Sequence, residues 1–208
     1  MKKLASLAGL AVAASSALGV AFSVGGPGGA IADGSGNNIP GAPLVMSGVI
    51  AAPGMVVTAV TKVSLIGASH TWIGDLTVVL TKDAAGSDLM DRNYRTTTTG
   101  FGSSADFTGG TYGLVAGGPL MPASGVVAPG DYGIFDNLVA GSSPTNGSYA
   151  AFVGIPVSGT WTVTVTDWAG GDIGAIEGFM VEGLMVPEPA TLAALGIGLA
   201  ALMRRRKK

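Results

Sequence analysis

The sequence predicts an all-β protein, a jelly-roll β-sandwich flanked by an N-terminal signal helix and a C-terminal hydrophobic helix. Three observations predict it. Apolar residues in the body recur with period two, glycine is abundant at 35 of 208 residues, and no amphipathic helical pattern lies between the termini. Few Lys and Glu helix formers alongside so many glycines favour turns and strands. Short strands joined by long Gly-rich connections are the pattern of a sandwich or jelly roll.

At the N-terminus, Lys2 and Lys3 precede an apolar stretch from Leu4 to about Phe22, the layout of a secretory signal peptide over residues 1–23. Cleavage after Ala21, Ser23 or Ala32 fits the sequence. Residues 24–54, with Gly25-Gly26-Pro27-Gly28-Gly29 and Gly34-Ser35-Gly36-Asn37-Asn38, read as a flexible Gly/Pro-rich lead-in. The folded domain is expected over residues 55–186. Its first strand, from Val56, places Ala59, Thr61, Val63 and Leu65 on one face and Val60, Lys62 and Ser64 on the other. Leu76, Val78 and Leu80 share a face of the next strand. Trp161, Val163 and Val165 alternate with outward threonines, and a last strand, Ile176 to Met185, points Phe179 and Val181 inward. Residues 91–150 read as weak strands among long loops.

The formal net charge is −2, but seven of the eleven cations lie at the two extreme ends of the chain. Between those basic ends stand Lys62, Lys82, Arg92 and Arg95 against thirteen carboxylates, Asp33 to Glu188, a net charge of −9. Such a surface repels nucleic-acid phosphates and anionic lipid, so no nucleic-acid partner is expected. Absence of cysteine excludes disulfides, thiolate metal ligation and cysteine catalysis. About 155 residues remain between the ends, enough for one domain with a real core.

The tail, residues 187–208, opens with Pro187-Glu188-Pro189, runs without charge from Ala190 to Met203, and ends in Arg204, Arg205, Arg206, Lys207 and Lys208. An apolar run closed by cations stalls in a bilayer with the cations on the cytoplasmic side. As a helix, residues 190–203 span about 21 Å, short of the roughly 30 Å hydrocarbon core. That length suits transient insertion better than a durable single-pass anchor, the competing reading. The whole tail resembles the PEP-CTERM sorting signal of Gram-negative bacteria. The resemblance implies an exosortase-like processing enzyme as partner and an inner-membrane intermediate. The destination it implies is the cell surface or the extracellular exopolysaccharide matrix.

Two further blocks resemble the P domain (P/Homo B) of subtilisin-like proprotein convertases. One is His70-Thr71-Trp72-Ile73-Gly74-Asp75-Leu76. The other runs from Phe152 and Gly154 through Gly159-Thr160-Trp161, Asp167 and Gly171-Asp172-Ile173-Gly174 to Phe179 and Val181. Pro122 to Gly125 and Pro129 fit the loop between them. The resemblance implies an eight-stranded jelly roll, similar to galactose-binding-like sandwiches, in which His70, Trp72, Asp75, Trp161, Asp167 and Asp172 are structural. Phe179 stands where that family tends to have tryptophan, and only Asp106-Phe107 matches its acidic-aromatic segment.

Catalytic parts are scarce. His70 is the only histidine, no Gly-x-Ser-x-Gly elbow occurs, and nothing supplies a Ser-His-Asp setting. Asp83, Asp88 and Asp91 around Gly86, with Asp167 and Asp172 around Gly170-Gly171, are candidate Ca²⁺ ligands on Gly-rich loops. The competing reading makes them Asx-turns. An exposed Trp72 or Trp168 would offer a sugar-stacking face. The expected function is a non-enzymatic exported surface or matrix protein that binds extracellular polysaccharide or another surface protein. A lectin-like module is one alternative, and a secreted hydrolase or protease-accessory domain is another.

Overall fold

The computed structural model describes residues 19–95, 100–136, 145–146, 148–189, 196–198, 202 and 204–205. Twelve strands dominate the described residues. The first five are β1 (Val20–Ile31), β2 (Leu44–Ile50), β3 (Met55–His70), β4 (Leu76–Lys82) and β5 (Ala85–Asp91). The long β6 (Ser104–Val115) is followed by the short β7 (Ser124–Val126), β8 (Gly130–Gly133), β9 (Phe135–Asp136) and β10 (Thr145–Asn146). The last two are β11 (Gly159–Asp167) and β12 (Gly174–Pro187). Among the described residues of the folded body the helical elements are two single 3-10 turns, Ile73–Asp75 and Ala150–Phe152.

Two six-stranded sheets pack around one core. The first runs β1-β12-β3-β6-β7, with β8 also on β6, and the second runs β10-β9-β5-β4-β11-β2. Pairing is mostly antiparallel, but β7 and β8 pair parallel with β6, and β9 parallel with β5. Trp161 of the second sheet stands between Phe22 of the first and Phe152, with ring centroids 5.7 and 5.6 Å away. Its indole N–H donates to the Val157 carbonyl at 3.1 Å, so the ring is buried without leaving its polar atom unpaired. Leu76, Val78, Leu80, Val163, Val165, Phe179 and Val181 are all buried, as their alternation predicts.

The structure corrects the lead-in. Residues 24–54 contain most of β1 and all of β2, and Val20 to Ser23, expected in the signal helix, are strand. β1 pairs along β12 from Val20↔Met185 to Ile31↔Gly174 and buries Phe22, Val24 and Ile31. Its glycines serve close approach. A Cβ on Gly26 would lie 2.2 Å from the Ser47 carbonyl oxygen, and one on Gly48 2.4 Å from that of Gly25. β1 and β2, the edge strands of the two sheets, therefore close one side of the body backbone against backbone. Pro27 is tolerated because β1 is an edge strand.

β3 departs from strict alternation. Val60 is buried where Ala59 and Thr61 are not, because a bulge opposite Glu182 and Gly183 inserts Thr61 and shifts the face, until a second bulge at Thr58 restores it and buries Val57. β6 was hidden among the expected weak strands. Its Gly109-Gly110 pair breaks the period, and the register against β3 shifts there. Asp88 and Asp91, expected on a loop, lie on β5. Residues 1–18 of the expected signal helix, and most of the expected span 190–203, lie outside the described residues. Among the described residues no helix is long and apolar enough to cross a membrane.

Candidate functional site

One end of the body gathers most of the residues singled out in the sequence. β3 ends at His70, β11 ends at Asp167 and β12 begins at Gly174, so the connections after β3 and before β12 meet there. Trp72 holds a left-handed backbone, φ 70° and ψ 63°, rare for a bulky residue. Its amide donates to Asp106 Oδ1 at 3.1 Å and its carbonyl accepts from the Asp75 amide at 3.1 Å. The Thr71 hydroxyl donates to Asp172 Oδ1 at 2.9 Å, tying the two connections together. Asp33, on the segment after β1, accepts from the Gly171 amide at 3.1 Å.

Beneath this surface lies a buried polar layer. His70 Nε2 is 3.2 Å from Asp167 Oδ2, with both side chains buried, and Asp167 Oδ1 accepts from the Ala169 amide at 3.0 Å. Asp75 Oδ1 is 3.6 Å from Arg92 Nη2, an ion pair in distance but without a hydrogen bond. Arg92 also donates to Asn38 Oδ1 and, at 3.3 Å, to the Gly100 carbonyl. Burial pushes Asp75 up from 3.8 to about 6 even though Arg92 opposes the shift, with Asp167 adding to it. Burial lowers Arg92, and neighbouring Arg95 lowers it further. Among the described residues, His70 Nδ1, Asp75 Oδ1, Arg92 Nε and Asn93 Oδ1 are buried with no hydrogen-bond partner. Such groups are costly in a core.

Two hollows open onto this layer. One, of about 390 Å³, is lined by His70, Thr71, Phe107, Ile173 and Gly174 among others. The other, of about 230 Å³, is lined by Trp72, Asp75, Phe101, Gly170, Gly171 and Asp172. Trp72 and Phe101 meet edge to face, their centroids 6.2 Å apart. Trp72 is 37% exposed, Phe101 51% and Ile173 79%.

His70, Trp72, Asp75, Asp167 and Asp172 thus converge, while Trp161 lies in the core toward the opposite end of β11. The candidate calcium ligands face different partners. Asp167 turns inward to His70 while Asp172 turns outward to Thr71. Asp83 pairs with Lys82 at the β4–β5 turn, away from Asp91 at the far end of β5. Among the described residues no three acidic or histidine side chains are placed to hold a metal ion. Sequence reasoning missed Arg92, Asn38, Asp33 and Phe101. Arg92 gave no signal, because a cation on a polar segment reads as a solvated one. Phe101, isolated between Gly100 and Gly102, was the one readable hint.

The sorting residues continue the sheet. Pro187 pairs with Met55 at the end of β12, and the Glu188 amide donates to the Gly54 carbonyl at 2.8 Å. Pro189 follows directly, Arg204 and Arg205 are helical, and Arg206 lies outside the described residues. Residues 186–207 match the PEP-CTERM protein-sorting motif. No curated protein and no solved structure matches the chain, and neither comparison supports the P-domain resemblance. The motif marks an exosortase-targeted, exported surface protein.

Proposed function

We propose that the chain is a non-enzymatic surface or exopolysaccharide-matrix protein whose jelly-roll module mediates an interaction after export. The observation that carries this reading is the sorting motif at residues 186–207, attached without a spacer to the last strand of a folded β body. Delivery is then the purpose of the tail, and contact that of the body. The test replaces Pro187, Glu188 and Pro189 by alanines. An unprocessed inner-membrane form is expected, and unchanged surface delivery would sink the reading.

The geometry of His70 supports a body without hydrolytic chemistry. In a nucleophilic triad the imidazole is oriented by a carboxylate on one nitrogen and reaches a nucleophile with the other. Here the carboxylate is present, but the second nitrogen, Nδ1, has no hydrogen-bonded hydroxyl and the side chain is buried. A hydrolase that lost activity with His70→Ala would reverse this. The two blocks that resemble the P domain meet at the His70–Asp167 pair, which joins β3 to β11 across the sheets. A lectin-like role is the second reading, favoured by the exposed Trp72–Phe101 pair.

A further inference from the structure

We infer that the cleft between Trp72 and Phe101 binds a neutral polysaccharide through one of its sugar rings. The inference rests on the proposed interaction role of the body and gives it a site and a ligand class.

The walls and the floor of the cleft ask for different things. A hexose ring has an apolar face of C–H groups and an edge of hydroxyls. An aromatic ring exposed on one side covers the first, and fixed acceptors capture the second. Trp72 and Phe101 are both substantially exposed, in an edge-to-face arrangement that leaves ring surface toward the cleft. Asp75 lies under the floor, 1% exposed, with its Oδ1 turned to Arg92 Nη2 at 3.6 Å. The carboxylate within reach of a sugar hydroxyl is Asp172, whose Oδ1 already accepts from Thr71. Asp172 stands on the rim.

Charge selects among polysaccharides. Asp75 and Asp172 line the cleft, and Asp33 and Asp106 bond the Gly171 and Trp72 amides of its wall, while Arg92 is buried and held by Asp75 and Asn38, and Arg95 bonds that same Asn38 oxygen. Carboxylates accept from sugar hydroxyls but repel uronates, sulfates and phosphates. A neutral sugar is therefore favoured over an anionic one. The second hollow, beyond the Thr71–Asp172 hydrogen bond, brings the exposed Ile173.

The test uses affinity electrophoresis of the exported protein through gels containing soluble glucan, galactan, mannan or alginate. Retardation by at least one neutral polymer and none by alginate is expected. The informative variant is Trp72→Gly, because glycine adopts the left-handed backbone that strains tryptophan. It should melt no lower than the wild type yet lose affinity by about tenfold or more. Phe101→Ala should weaken binding in the same direction. Undiminished binding by Trp72→Gly, retardation by alginate alone, or no retardation by any neutral polymer overturns the site. Surface delivery of Trp72→Gly, followed in cells, reads the sorting role separately. Normal delivery with lost glycan binding supports both ideas, and normal delivery of a wild type that binds no neutral polymer removes the glycan site alone.

Discussion

The amide of Glu188 donates to the carbonyl of Gly54 across 2.8 Å, so the first residues of the sorting motif belong to the folded body. Val186 and Pro187 pair with Val56 and Met55 on β3, while the β1 side of the ladder has already ended at Met185. A processing enzyme that takes this segment into its own site must first open the end of β12. Inserting a flexible Gly/Ser linker of about ten residues between Val186 and Pro187 should raise the processed fraction in pulse-chase labelling. An unchanged rate would show that the fold does not limit access.

With an N-terminal signal removed on export, β1 limits where the cut can fall. Cleavage after Ala32 would remove the whole strand, withdraw Phe22, Val24 and Ile31 from the core and strip the partner from one edge of β12. An unpaired, long strand edge invites aggregation. The mature N-terminus is therefore expected at Phe22 or upstream. Intact-mass measurement of the exported protein checks this, and a species beginning at Asp33 would contradict the pairing.

What the sequence made legible follows from which residues carried side-chain signals. Trp161, Val163 and Val165 alternate with threonines, and β11 lies where they predict. β1 shows no such rhythm, since Gly25 to Gly29 present almost no side chains and the strand is dictated by β12 and by the approach of Ser47. Long-range partners of that kind leave no local trace. The site divides in the same way. His70, Trp72, Asp167 and Asp172 stood out as rare or clustered residues. Arg92 became visible only once folding placed it 3.6 Å from Asp75.

Asp75 gives stability a definite pH dependence. Its folded pKa is raised from 3.8 to about 6, so between those values the native state holds a proton that the unfolded chain releases. Stability falls as pH rises through this window, and the loss is complete above about pH 6. The effect is worth about 3 kcal/mol at most. Asp75→Asn should flatten the slope between pH 4 and 6 relative to wild type in urea titrations. Arg92→Met should cost about 3–5 kcal/mol at pH 7, where it strands a buried carboxylate, and distinctly less at pH 4, where Asp75 is protonated. Equal losses at both pH values would separate Arg92 from Asp75.

Phe22 and Trp161 provide the sharpest check on the edge-to-core arrangement. Their rings are 5.7 Å apart although the residues belong to different sheets. Each alanine substitution should destabilise by about 3–5 kcal/mol through lost burial and the cavity left behind. Trp161→Phe should cost about 1–3 kcal/mol, because it keeps an aromatic ring but leaves the Val157 carbonyl without its donor. Residues in contact do not add. The Phe22→Ala/Trp161→Ala pair should fall short of the summed single losses by about 0.5–3 kcal/mol in denaturant melts. A detached, flexible lead-in would give no coupling and almost no loss at Phe22, so additivity here would remove β1 from the sandwich.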